Sequence, residues 1–213
     1  SAIKVNSNPQ DIQLIAVTKT VEPEIIERAI ELGITNVGEN KVQELVRKYE
    51  IIGDKVKWHM IGHLQKNKVK YIIDKVVLIH SLDSYGLAVE IDKRAKNIEK
   101  EMKCLLQVNV SGEDSKYGVD PKDVEELLHK ISSLKHVKIM GLMTIAPYTK
   151  KPEEVKKFFE MLKQLSINIS NKKLENVEMK YLSMGMSNDF EVAIEAGSNL
   201  VRIGSKIFGE RNY

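Results

Sequence analysis

The sharpest chemical signal in the sequence is a lysine set directly behind an apolar run: Lys19 follows Leu14-Ile15-Ala16-Val17-Thr18. If that run is a strand of a buried sheet, the amine at its end is partly desolvated and loses its proton more readily. That is the condition for attack on a carbonyl carbon to form an imine. A lysine there could also emerge into a loop and extend its ammonium to water, so the surrounding motifs decide. Two of them lie near the end of the chain, Ser183-Met184-Gly185-Met186-Ser187-Asn188-Asp189 and Arg202-Ile203-Gly204-Ser205. Glycine lets a backbone approach a phosphate closely, and serine hydroxyls, main-chain N–H groups and a helix start all donate to its oxygens. Ser187-Asn188-Asp189 alone reads equally as a helix N-cap; with the second loop beside it, a phosphate site is the better reading.

Arg202 is flanked by Leu200, Val201 and Ile203, which places a guanidinium inside a strand. Burying it unpaired is costly, so it needs a partner: a carboxylate such as Glu195, or a ligand. The chain has 33 basic residues, of which only five are arginines, so lysine serves where plain surface charge is wanted and arginine where planar donor geometry is. His59 could face either side of its strand, His63 reads as a loop residue, and both suit ordinary structural roles. No histidine–carboxylate spacing resembles a metal site, and no Ser–His–Asp arrangement or Walker loop is present.

These residues must be positioned by elements, and the pattern is regular. Strand-like runs fall at Leu14–Thr18, Asn36–Gly38, Val56–Ile61, Val76–His80, Lys103–Val110, Lys138–Thr144, Glu178–Ser183 and Leu200–Ile203. Helix-like stretches begin near Pro23, Lys41, Gln65, Ser84, Pro121, Pro152 and Asn188, and Glu22-Pro23 and Asp120-Pro121 place proline in a first helical turn, where its missing N–H is no loss. Eight strands alternating with helices predict an α/β fold with a parallel sheet. Polar residues out of place in such strands, including Lys19, Asn40, His80-Ser81, Asn109, Thr144, Ser187 and Ser205, sit at or just beyond the strand C-termini, the rim where a (β/α)8 barrel builds its sites. A barrel of this kind needs ~200 residues or more, so 213 leave no room for a second domain; one barrel domain over 1–213 is expected, with an open doubly wound sheet as the alternative.

Composition narrows the class. The chain is 42% hydrophobic and 30% charged, with one cysteine, which excludes an intrachain disulfide and fits a reducing, cytoplasmic setting. Its 33 basic and 30 acidic residues are interspersed, so nucleic acid is not an expected partner. No apolar run approaches the roughly 20 residues of a membrane span, and no signal-peptide pattern opens the chain.

Taken together, Ala16-Val17-Thr18-Lys19, Gly38-Glu39-Asn40-Lys41-Val42-Gln43-Glu44, Trp58-His59-Met60-Ile61-Gly62-His63-Leu64-Gln65-Lys66-Asn67-Lys68, His80-Ser81-Leu82-Asp83, Gly141-Leu142-Met143-Thr144, Leu182-Ser183-Met184-Gly185-Met186-Ser187 and Val201-Arg202-Ile203-Gly204-Ser205-Lys206-Ile207-Phe208-Gly209 are jointly highly specific. Over nearly its whole length the chain resembles the pyridoxal-phosphate homeostasis proteins, the alanine racemase N-terminal-like or proline-synthetase co-transcribed family. The resemblance implies a single TIM barrel of PLP fold type III that binds pyridoxal 5'-phosphate (PLP) as a Schiff base on Lys19. It implies Ser187, Gly204 and Ser205 around the phosphate, Arg202 facing the pyridine nitrogen, and Asn40 and Met184 lining the pocket. An arginine there keeps the ring nitrogen unprotonated, so the ring withdraws electrons poorly and carbanion chemistry is blunted.

The implied role is intracellular handling of the cofactor without efficient catalysis, with amino acids and PLP-dependent apo-enzymes as further partners; a monomer is expected because no apolar surface stripe stands out, and composition points to neither nucleic acid nor membrane. The alternative is a weak PLP-dependent amino-acid racemase. Two-base racemisation in alanine racemase takes its second acid/base, a tyrosine, from a separate C-terminal domain, and here the chain ends at Tyr213, ten residues after its last strand, which argues against an efficient racemase. A sugar-phosphate barrel enzyme using the same cradle is a third reading and predicts a colourless protein. Two departures from the family stand out: the helix that usually precedes the first strand is expected to be shortened or missing, and Thr18 replaces a common serine.

Overall fold

The structure is a computed structural model that describes residues 8–113 and 117–209. Residues 1–7, on which the expectation of a shortened or missing leading helix falls, and Tyr213 lie outside them. The strands are β1 (Gln13–Val17), β2 (Asn36–Glu39), β3 (Lys57–Met60), β4 (Val76–Leu82), β5 (Met102–Gln107), β6 (Val137–Met143), β7 (Val177–Ser183) and β8 (Leu200–Ile203). The helices are α1 (Pro23–Glu31), α2 (Val42–Ile52), α3 (Tyr85–Lys96), α4 (Val124–Ile131), α5 (Lys156–Ser170), α6 (Phe190–Glu195) and α7 (Ser205–Phe208).

All eight strands are parallel, each pairs with the next, and β1 closes on β8 through Gln13↔Leu200, Leu14↔Val201, Ile15↔Arg202 and Ala16↔Ile203. The sheet is therefore a closed barrel, and the open doubly wound alternative is set aside. Two expectations shift locally. The helix expected from Gln65 is a 3-10 stretch, Lys66–Tyr71, and Pro121 and Pro152 head short 3-10 turns that pass into α4 and α5. Asp120 caps the first of these by accepting from the Lys122 N–H at 3.0 Å.

Amphipathic spacing explains how the helices coat the sheet. α4 buries Val124, Leu128 and Ile131, and α5 buries Phe159, Leu162, Ser166 and Ile169, each a stripe at helical period. These stripes meet outward-facing strand residues such as Ala16, Val37, Trp58 and Ile79 in one large apolar layer. The barrel interior is smaller and built from Ile15, Leu78, Leu105, Met140, Met143 and Leu200. Toward the strand C-termini that lining turns polar, and the site begins there.

Candidate functional site

Lys19 emerges partly buried one residue beyond Thr18, at the end of β1. The peptide on either side is pinned. The Lys48 ammonium donates to the Thr18 carbonyl at 2.7 Å, and the Thr20 hydroxyl donates to the Lys19 carbonyl at 2.6 Å. Thr20 itself has φ +63, a left-handed conformation uncommon for a β-branched residue. Lys48 also pairs with Glu39 Oε1 at 2.7 Å, both side chains fully buried, and the Thr18 hydroxyl donates to the same oxygen at 2.7 Å. The sequence reasoning missed this clamp, though a signal for it exists: Lys48 lies on the same buried stripe of α2 as Val42, Leu45 and Ile52, where an unpaired charge has no place.

Strands β1 and β2 pair through Ala16↔Val37 and Val17↔Gly38, so the chain continues in step to Lys19 on one and Asn40 on the other. Asn40 is half-buried, and its Oδ1 is buried with no hydrogen-bond partner among the described residues. Gly62 is required there, because a Cβ would collide with the Asn40 carbonyl and Cα.

On the other flank of β1, Gly204 lies at the end of β8, where a Cβ would sit 3.4 Å from the carbonyl oxygen of Val17. Its N–H donates to the Ser187 hydroxyl at 3.3 Å, which ties the loop after β7 to the loop after β8. Ser187 thus does not cap α6; the residue at that position is Asp189, and its carboxylate turns back to accept from the Met186 N–H at 2.6 Å. Ser205 is exposed as the first residue of α7. The turn into this region needs Gly185, whose φ is +91 and whose Cβ position lies 2.6 Å from the Ala193 methyl. Met184, the residue after β7, is fully buried in the layer between sheet and helices. A contribution to the pocket would have to come from its main chain.

Arg202 projects into the barrel and is buried. Its Nη1 donates to Ser183 Oγ at 2.6 Å and its Nη2 to the Thr144 carbonyl at 2.9 Å. No carboxylate pairs with it among the described residues; Glu195, the partner considered from the sequence, instead binds Lys156 at 3.3 Å. Burial lowers the guanidinium to about 10, with the Asp189 charge opposing the shift, so it stays cationic at neutral pH while its hydrogen-bond partners are neutral.

The interior histidines continue from Ser183. His80 Nδ1 lies 2.9 Å from Ser183 Oγ, His80 Nε2 lies 3.0 Å from His59 Nδ1, and His59 Nε2 lies 3.1 Å from Asn36 Oδ1. Burial holds His59 down to about 3, with Lys57 adding to the effect. His80 is also lowered, by burial first and then by His59 and Arg202. His59 therefore faces the barrel, because Trp58 turns outward into the helical layer. At the rim His63 pairs with Asp83 at 3.4 Å and stacks on Tyr117 with ring centroids 3.9 Å apart. Asn109 shapes its own loop by donating to the Glu113 carbonyl.

Comparison with known proteins agrees with this architecture. The family "Alanine racemase, N-terminal domain" matches residues 2–212. The pyridoxal phosphate homeostasis protein of Aquifex aeolicus is 48% identical over 202 residues, spanning 94% of this chain and 88% of that protein, and the Helicobacter pylori protein of the same name is 42% identical over 93% and 88%. Among solved structures, PipY of Synechococcus elongatus with PLP bound superposes with a TM-score of 0.88 at 33% identity, covering 98% of this chain and 97% of that one. The alanine racemase of Clostridium difficile shares the fold, with a TM-score of 0.80 at 14% identity over 97% of this chain and 54% of its own. The chain belongs to the alanine racemase N-terminal domain family and, within it, to the pyridoxal phosphate homeostasis proteins.

Proposed function

We propose that this chain is a cytoplasmic, monomeric one-domain protein that binds PLP as a Schiff base on Lys19 and buffers or passes on the cofactor, with amino acids and PLP-dependent apo-enzymes as its partners, without catalysing efficiently. The observation that carries the reading is the convergence on the end of β1. Lys19 follows Val17, Gly204 rests on Val17 and is tied to Ser187, and the orphaned Asn40 Oδ1 continues the neighbouring strand. A flat aromatic phosphate aldehyde fits these groups. Lys19 supplies the amine, Ser187, Ser205 and the Gly204 turn supply phosphate donors, and Asn40 gains the partner it lacks.

When bound, the group supplies an electrophilic aldehyde carbon and an electron-withdrawing ring. Arg202 would meet the ring nitrogen as a cation with donors only, which disfavours a proton on that nitrogen and restrains the ring as an electron sink. The same barrel carries alanine racemases, but no observation in this site favours racemisation over binding.

The test is solvent exchange. Holo-protein incubated with L-alanine in deuterated water should show a spectral shift but very slow Cα exchange and D-enantiomer formation. Turnover near ~10 per second, the median for enzymes, would overturn the binding role in favour of a racemase.

A further inference from the structure

Arg202, Ser183, His80, His59 and Asn36 form an unbroken series of side-chain contacts across the barrel interior, with every link between 2.6 and 3.1 Å. Its direction is set from the Asn36 end. Arginine has no acceptor, so Ser183 Oγ accepts from Arg202, which leaves the serine one proton and a second lone pair, either of which can meet His80 Nδ1. At the far end Asn36 Nδ2 donates to the Thr35 hydroxyl at 3.0 Å and Oδ1 faces His59, so His59 Nε2 donates. His80 then accepts at Nδ1 and donates at Nε2, while His59 accepts at Nδ1 and donates at Nε2. Ser183 completes this polarity by donating its proton to His80 Nδ1, and every buried ring nitrogen in the series is satisfied.

We propose that Ser183, His80, His59 and Asn36 are positioning residues for Arg202: a one-way hydrogen-bond relay that fixes the plane of the guanidinium and the donor face it presents to the ring of the bound cofactor. The inference rests on the proposed binding of PLP. Both imidazoles are neutral Nε2–H tautomers: a second proton on His59 would set two N–H groups against each other, and one on His80 would place a second buried cation beside Arg202. Truncating the serine leaves Arg202 Nη1 and His80 Nδ1 both unmatched and the guanidinium held by the Thr144 carbonyl alone.

The experiment has two readouts. In protein labelled with 15N, the side-chain shifts of His59 and His80 should each show one protonated nitrogen, at Nε2, whether or not PLP is present. In parallel, Ser183→Ala should weaken PLP binding about tenfold, a loss of about 1.4 kcal/mol, and shift the visible band of the bound cofactor, while Ser183→Thr, which keeps the hydroxyl, should restore both. An Nδ1–H on His80 in the wild-type protein would overturn the relay. So would a folded Ser183→Ala protein with unchanged affinity and spectrum. Expected tautomers in a wild-type protein that binds no PLP would instead sink the cofactor reading, and the purpose assigned to the relay with it.

Discussion

At the scale of single residues, the site combines a cation among neutral acceptors at Arg202 with two loops tied by Ser187, and these make separate demands on a ligand. Charge-assisted hydrogen bonds to phosphate count for more than neutral ones. Replacing Ser187 and Ser205 together by alanine should therefore weaken PLP binding while leaving the unphosphorylated aldehyde nearly unaffected, as read by spectral titration of both; equal losses would mean that the serines only shape their loops. The interior histidines give a pH prediction. Between pH 6.5 and about 3, the unfolded chain binds a proton at His59 that the folded chain does not, so stability falls as pH drops below 6.5. At ~1.36 kcal/mol per pKa unit, His59 alone costs about 2 kcal/mol by about pH 5, and His80 acts in the same direction. Urea denaturation at pH 7.5 and 5 checks this, with His59→Gln showing the shallower dependence; equal slopes would contradict it. Lys19, Ser187, Arg202 and Gly204 were legible because a residue out of keeping with its strand, or a glycine next to a serine, is a local signal. Ser183 was not assigned a role, because a serine at the end of a strand acquires one only from partners 19 and 103 residues away.

At the scale of elements, α2 matters beyond its packing. Its buried Lys48 bridges Glu39 at the end of β2 and the Thr18 carbonyl at the end of β1, locking together the two strands from which Lys19 and Asn40 emerge. Removing one partner of a buried pair leaves the other charge stranded. Lys48→Met should thus destabilise the fold by ~3–5 kcal/mol, and the double change Lys48→Met with Glu39→Leu should recover much of that loss. Trp58, the one tryptophan and almost fully buried, reports unfolding for both variants; a single variant as stable as the wild type would show that the pair is dispensable. The strands themselves were readable from apolar, β-branched runs, with edges displaced by at most three residues, the largest at the end of β5. The Gln65 helix was not, because the basic run at Lys66, Lys68 and Lys70 carries helix-forming residue types while only Val69 of the segment is buried, too narrow an apolar stripe to sustain an α-helix.

At the scale of the whole molecule, closure is what makes the proposed site possible, since Lys19 leaves the first strand while Ser187, Gly204 and Ser205, the proposed phosphate donors, follow the last two. Eight alternating units are visible in the sequence, but the β1–β8 pairing is not. It joins residues almost the full length of the chain apart, such as Gln13 and Leu200, and no local pattern encodes it. Resemblance supplied that step, and the barrel geometry and the relatives at 48% and 42% identity agree with it. The central claim, that this closed barrel presents one lysine among 28 to PLP, is open to a single covalent measurement. The protein is mixed with PLP, reduced with borohydride, digested and mapped by mass spectrometry. The predicted result is one pyridoxyl adduct, on the peptide carrying Lys19, together with loss of the visible band in Lys19→Ala; an adduct on another lysine with Lys19 unmodified would contradict the account.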